Sequence, residues 1–334
     1  MAVLRKHGSF RLMVIMQKLG SFWMFLAGSL VVFAVIQVLL STGAMGDVFQ
    51  STVVLIGINI ILTVSLNLIN GITGQFSLGH AGFMSVGAYA SAIMTLDFNV
   101  PFPLALIIGG CVAALCGAII GIPTLRLKGD YLAIATLGFG EIIRIVFLNT
   151  DYVGGAAGLS GIPNKTTWVW LFFFTLVSVI LIQNFIRSKH GRACIAIREN
   201  EIAAEAMGIN TTTYKVIAFM IGAFFAGIAG GLSAHFFYVI NPSSFGFMKS
   251  FEILVMVVLG GLGSTSGAII GAIVLTLLLT LLQPYPELRM IIYSASLVLM
   301  MIFRPGGLLG TKEFTLSFLN KKEGDPHGIA SRSA

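Results

Sequence analysis

The chain has 334 residues, of which 57% are hydrophobic and 10% charged, and its mean hydropathy is +0.96. A soluble domain carries about 25% charged residues, so too few charges remain here to coat a water-facing surface, and the composition leaves an integral membrane protein. Lys and Arg outnumber Asp and Glu by 20 to 13, but they sit mostly between hydrophobic runs, which argues against a nucleic-acid interface and suits loops facing anionic lipid.

In chain order, the first 18 residues are basic (Arg5, Lys6, Arg11, Lys18) and 22–40 is uncharged. That run exceeds the ~7–15 apolar residues of a cleavable signal, and many spans follow it, so it reads as a retained signal-anchor helix. A spanning helix needs about 20 mostly apolar residues. Such stretches lie near 22–41, 52–70, 80–96, 104–122, 131–149, 168–186, 215–238, 250–262, 266–283 and 289–304. The eighth is short and ends in Gly260-Gly261. It reads as a broken or re-entrant helix, which is tolerated only where protein or a water-filled cavity surrounds it. The expected fold is all-α, a polytopic helix bundle of about ten transmembrane helices with broken or re-entrant segments. Its domains are a basic tail 1–21, one transmembrane domain 22–310 and a polar tail 311–334 that reads as disordered.

With ten spans, the basic residues of the N-terminal tail fall on the same side as Arg126 and Lys128, as Arg187, Lys189, Arg192 and Arg198, and as Lys312, Lys321, Lys322 and Arg332. The opposite loops hold Asp47, Asp97, Asp151 and Lys165. Lys165, Lys249 and Arg289 fit the pattern imperfectly. The excess of basic residues places both termini in the cytoplasm. Small residues recur every four positions, at Ala113, Gly117 and Gly121, at Gly222, Ala226 and Gly230, and at Gly263, Gly267 and Gly271. On a helix each set is a smooth stripe that brings two backbones together, the mark of a compact bundle.

Charge density singles out one loop. Nine Asp, Glu, Lys or Arg fall between 19 and 186, and eight fall between 187 and 215. Within the loop 187–214, Arg198, Glu199, Glu201, Ala203, Ala204, Glu205 and Ala206 precede Gly208. The residues from Glu199 are acceptable or good helix formers, and Gly208 suits a helix C-terminus. A helix of about ten residues is marginal alone in water. Two readings stand: a helix docked in a groove of a partner, with Ile202, Ala206 and Ile209 on one face, or an ordinary solvated loop helix.

Between Gly71 and Gly87 stand five glycines, with Gln75, Ser77 and His80, and Asn67 and Asn70 lie just upstream. Each glycine weakens a helix by about 1 kcal/mol, so a break at the membrane edge is expected. Broken helices expose backbone groups to a polar solute. Asn67, Asn70, Gln75, Ser77 and His80 are candidates for lining such a path, or they satisfy one another inside the bundle. Glu141 and Arg144, three apart within one span, form a candidate intramembrane ion pair, either structural or part of a gate. Cys111, Cys116 and Cys194 have neither metal-site nor disulfide spacing, and the five histidines are scattered. No catalytic or metal-ligating cluster is expected.

The stretch Glu201-Ile-Ala-Ala-Glu-Ala-Met-Gly208 resembles the EAA loop of bacterial ATP-binding-cassette importer permeases. The chain from about 50 to 310 resembles the LivM-type permeases of branched-chain amino acid transporters. The resemblance rests on Gly74-Gln-Phe-Ser-Leu-Gly-His-Ala-Gly-Phe83, on 124–140, on Gly154-Gly-Ala-Ala-Gly-Leu-Ser-Gly-Ile-Pro163, on 259–271 and on Arg304-Pro-Gly-Gly-Leu-Leu309. It implies a complex in the bacterial inner membrane. Its parts would be this chain, a second similar permease, two cytoplasmic ATPases and a soluble binding protein outside, with 187–214 coupling to the ATPases. The chain has no G-x-x-x-x-G-K-[ST] loop, so ATP-Mg would belong to the partners and this chain would bind no cofactor. The resemblance leaves urea or short amides open as alternative solutes. Glu141 and His80 leave a proton-coupled transporter as the other reading.

Overall fold

The computed structural model describes residues 27–39 and 46–285, Lys128 excepted, and scattered residues between 292 and 308. Between 27 and 281 the described residues form, in order, α1 Ala27–Leu39, α2 Asp47–Asn67, α3 His80–Leu96, α4 Phe102–Thr124, α5 Asp130–Leu148, α6 Trp168–Arg187, α7 Lys189–Glu199, α8 Glu201–Ala206, α9 Thr211–Phe237, α10 Phe247–Gly260 and α11 Thr265–Leu281. One two-stranded antiparallel patch joins β1 Leu159–Ser160 to β2 Val239–Ile240, with Leu159 opposite Ile240.

Apolar composition fixes where these helices run. Among the described residues, five helices are long and apolar enough to cross a membrane: Val48–Ile72, Phe102–Thr124, Asp130–Leu148, Trp168–Arg187 and Thr211–Phe237. The protein is a multi-pass membrane protein. Ten spans were expected, and the remaining expected positions hold shorter pieces. The stretch 80–96 is the 17-residue α3, 250–262 is the 14-residue α10 and 266–283 is the 17-residue α11. Fourteen residues reach about 21 Å, short of a hydrocarbon core about 30 Å thick. The stretch 22–41 is described only in part, 289–304 lies largely outside the described residues, and both expected tails lie wholly outside them.

Glycine decides which helices touch. α9 packs most extensively on α4 and α3, and α3 on α4. A Cβ on Gly87 would collide with the backbone of Gly227, and one on Gly230 with the carbonyl of Met84. A Cβ on Gly117 would sit 2.8 Å from that of Ala223. The stripe on α4 is thus a helix–helix contact. On α9, Gly222 turns instead toward Ile69 and Gly230 toward α3. The third stripe differs from expectation. Gly263 has φ +89° and lies in a turn, while Gly267 and Gly271 press against the backbone of α10.

The 27-residue α9 is about 40 Å long. The α7–α8 loop leads into its start and β2 follows its end. The charged loop and the two-stranded patch therefore lie at opposite ends of the bundle.

Candidate functional site

The break begins where α2 widens. Its last turn, Leu68–Ile72, is a π-helix, a form often found at functional sites. The Thr73 N–H reaches the Leu68 carbonyl at 3.2 Å and the Gln75 N–H reaches that of Ile69 at 3.1 Å. Gly74, at φ +72°, then turns the chain out of the helix, a conformation glycine adopts without strain. No helix follows until His80. The expected break is therefore confined to 73–79. Gly82 and Gly87 lie inside α3, where they admit the backbones of Gly140 and Gly227.

All five polar candidates are buried. Asn67 Oδ1 accepts the Gly263 N–H at 2.8 Å. Asn70 bridges the break: its Oδ1 accepts the Ser77 N–H at 3.1 Å and its Nδ2 donates to the Ser77 carbonyl at 3.4 Å. His80 Nε2 lies 2.8 Å from Ser65 Oγ. The same hydroxyl lies 2.9 Å from the Leu62 carbonyl, to which it can donate. His80 Nδ1, the Ser77 hydroxyl and both atoms of the Gln75 amide are buried without a hydrogen-bond partner. Buried polar groups are nearly always paired, so this segment is under-satisfied as it stands.

The far end of the break is tied to two other helices. The Leu78 N–H donates to Thr136 Oγ1 of α5 at 3.0 Å, and the Ala81 N–H to Ser250 Oγ of α10 at 3.1 Å. On α5, Arg144 Nε donates to Glu141 Oε2 at 2.7 Å, and the pair is half-buried. Glu141 Oε1 also accepts the N–H of Phe247 at 3.0 Å. It thus places a carboxylate at the N-terminus of α10, where the helix dipole favours negative charge.

The charged loop was expected as one helix of about ten residues. It forms two, because the Asn200 backbone leaves the helical path (φ −160°, ψ 106°) and its side chain caps a second helix, accepting the Ala203 N–H at 3.0 Å. Six-residue α8 ends in a glycine C-cap: Gly208 has φ +82°, its N–H meets the Glu205 carbonyl, and the Ile209 N–H meets that of Ala204. Two side chains fasten α8 to α9. Glu201 accepts Lys215 Nζ at 2.6 Å, and Glu205 accepts the Thr211 hydroxyl at 2.7 Å. Ala204 is buried beneath, Ala203 and Ala206 are exposed, and Ile202 and Met207 stand 75% and 83% exposed. In α7, burial pushes the Cys194 thiol up to about 11.

Arg198 and Glu199 close α7. Arg198 Nε and Nη2 donate to Glu199 Oε1 at 3.1 and 2.6 Å, and its Nη1 reaches inward to the Gly71 carbonyl at 2.8 Å. Gly74 rests against its Cγ and Gly263 against Nη1. The structure thus gathers Asn67, Gly71, Gly74, Arg198 and Gly263 at one end of the bundle. Glu141 and Arg144 stand apart, beside α10. Sequence reasoning missed Thr136, Thr211, Lys215, Ser250 and Gly263 as partners. Only Lys215 carried a signal, as a charge inside the apolar run of α9.

The family described as "Branched-chain amino acid transport system / permease component" matches residues 48–302. The chain is 38% identical over 287 residues to the high-affinity branched-chain amino acid transport system permease protein LivM of Salmonella typhimurium, covering 75% of this chain and 68% of that protein. It is equally similar to LivM of Escherichia coli. The high-affinity branched-chain amino acid transport system permease protein LivH of Salmonella typhimurium is 27% identical over 283 residues, covering 76% of this chain and 91% of LivH.

Proposed function

The chain belongs to the branched-chain amino acid transport system permease family, and we propose that it forms one half of the membrane passage of an ATP-driven importer for leucine, isoleucine and valine. The observation that carries this reading is the family match across 48–302. The other half of the passage is a second permease, as suggested by the likeness to both LivM and LivH. Two cytoplasmic ATPases supply the energy, and a soluble binding protein outside delivers the solute. The membrane is the bacterial inner membrane, with both termini in the cytoplasm. This chain binds no cofactor, and ATP-Mg acts on the ATPases.

The residues take the following roles in this proposal. The loop 187–214 is the ATPase-coupling element, and α8 is the part that docks. Ile202 and Met207 are exposed apolar anchors on a helix fixed from behind by Glu201 and Glu205, which suits a helix laid in a partner's groove. The solute passes the break, where Gln75, Ser77 and His80 hold unpaired polar atoms and Asn67 and Asn70 shape the backbone. Glu141 and Arg144 hold the start of α10 beside that passage.

The test is to express the chain with its genomic neighbours, purify it through a tag in detergent, and reconstitute what co-purifies. A second permease and two ATPases should co-purify, and labelled leucine uptake should need both ATP and the binding protein. A chain that purifies alone and transports in response to a proton gradient overturns the proposal.

A further inference from the structure

We infer that Arg198 is a positioning residue that latches the coupling loop to the break in α2, and that segment 73–79 is the element the latch moves. The inference rests on the coupling role proposed above for 187–214. Three independent observations carry it.

The first is where the guanidinium goes. Arg198 lies three residues before α8, yet its Nη1 turns away from the exposed face and donates to the Gly71 carbonyl at 2.8 Å. Gly71 lies in the π turn that ends α2. Carbonyls in the last turn of a helix have no partner within it. A cation there meets both the free acceptor and the negative end of the helix dipole. Arg198 is therefore the C-terminal cap of α2, contributed by the loop.

The second is that the contact leaves no slack. Gly74, the residue that turns the chain into 73–79, rests against the Arg198 side chain, and a Cβ there would come within 2.8 Å of Arg198 Cγ. Gly263 closes the other side, its N–H held by Asn67 and its Cα facing Arg198 Nη1. A displacement of α7 must therefore be met by movement of Gly71, Gly74 or the α10–α11 turn.

The third is that 73–79 is incompletely bonded. Gln75 and Ser77 are 3% and 1% exposed, and neither the Gln75 amide nor the Ser77 hydroxyl has a partner. Its start is held by the Thr73 and Gln75 N–H groups on the Leu68 and Ile69 carbonyls, and its end by Asn70 on Ser77 and Thr136 on Leu78. Unpaired buried groups lower the cost of leaving this arrangement for one that pairs them. The side chain of Phe76 is already 41% exposed, so the segment reaches the surface at its middle.

The test uses the assembled transporter in lipid vesicles, with Cys111 and Cys116 replaced by serine and Phe76→Cys introduced. Labelling of that cysteine by a charged maleimide is followed with and without trapping of the ATPases by ATP and vanadate, and leucine uptake and ATP hydrolysis are measured on the same preparations. With Arg198 in place, trapping should change the labelling rate. In Arg198→Ala it should not, and uptake per ATP should fall about tenfold, the size of an ordinary coupling energy. Arg198→Lys, which keeps the charge and one donor, should restore part of both. An equal response of Phe76→Cys in both backgrounds, no response in either, or, where leucine is carried, an unchanged ratio of uptake to hydrolysis overturns the latch. If the cysteine responds as expected but leucine is not carried, the latch stands and the proposed solute falls.

Discussion

Asn67 in α2 and Gly263 in the α10–α11 turn are joined by a 2.8 Å hydrogen bond from the glycine N–H to the side-chain oxygen, across 196 positions of sequence. The bond supplies the turn with the acceptor that α10 cannot, because the chain reverses there. Asn67→Ala leaves that backbone donor orphaned where Asn67 itself is buried. The expected cost is about 1–3 kcal/mol, read as a fall in the melting temperature of the purified permease. An unchanged melting temperature would show that the bond adds nothing.

Gly87→Ala should be among the most damaging single-methyl changes in the chain. Its Cβ would collide with the Gly227 backbone, which cannot rotate aside. Overpacking of this kind costs about 1–3 kcal/mol. Gly138→Ala on α5 is the matched contrast, since nothing lies within 4 Å of its Cβ. It should be neutral or gain up to about 1 kcal/mol of helix propensity. Thermal unfolding of the two variants side by side tests the difference, and equal stabilities would contradict it.

The α8 helix should loosen when its ties to α9 are cut. Lys215 is buried, and its partner Glu201 is a quarter exposed at 26%, so Lys215→Met removes a contact with little solvent competition. Hydrogen exchange of the amides of 201–206 should speed up about tenfold while α9 keeps its protection. Glu205→Lys removes the acceptor for Thr211 and should uncouple ATP hydrolysis from uptake in the assembled transporter. Normal coupling in that variant would remove Glu205 from the docking element.

Cys194 should resist alkylation. Burial raises its thiol from 9.0 to about 11. The thiolate is the reactive form, so at pH 8 it is about a hundredfold scarcer than on an unperturbed cysteine. With Cys111 and Cys116 replaced, N-ethylmaleimide should label Cys194 only after denaturation. The folded state holds this proton more tightly, so the associated stability is full below about pH 9 and is lost as pH rises toward about 11. Fast labelling of the native protein at pH 8 would contradict the burial.

Much of this architecture is legible in the sequence, because spans are written in composition. The run 80–96 coincides with α3, and 168–186 falls one residue short of α6. Gly208 announces its own C-cap. Other features are not legible, for physical reasons. Composition does not tell a glycine that breaks a helix, such as Gly74, from one that admits a neighbour, such as Gly87. The α7–α8 break was readable from Asn200, a strong N-cap residue, but the helix-forming residues on either side masked it. The bonds from Arg198 to Gly71, Leu78 to Thr136 and Ala81 to Ser250 join residues 127, 58 and 169 apart. No local period marks such pairs.

The backbone contacts among α3, α4 and α9 also restrict how the molecule can move. Where glycines sit against glycines, no side chain is available to change rotamer and let one helix slide past another. These three helices are therefore a stator. Movement within the bundle is left to the pieces mounted around them, among them α7, the short α10 with its following turn, the least enclosed span α5 and residues 73–79.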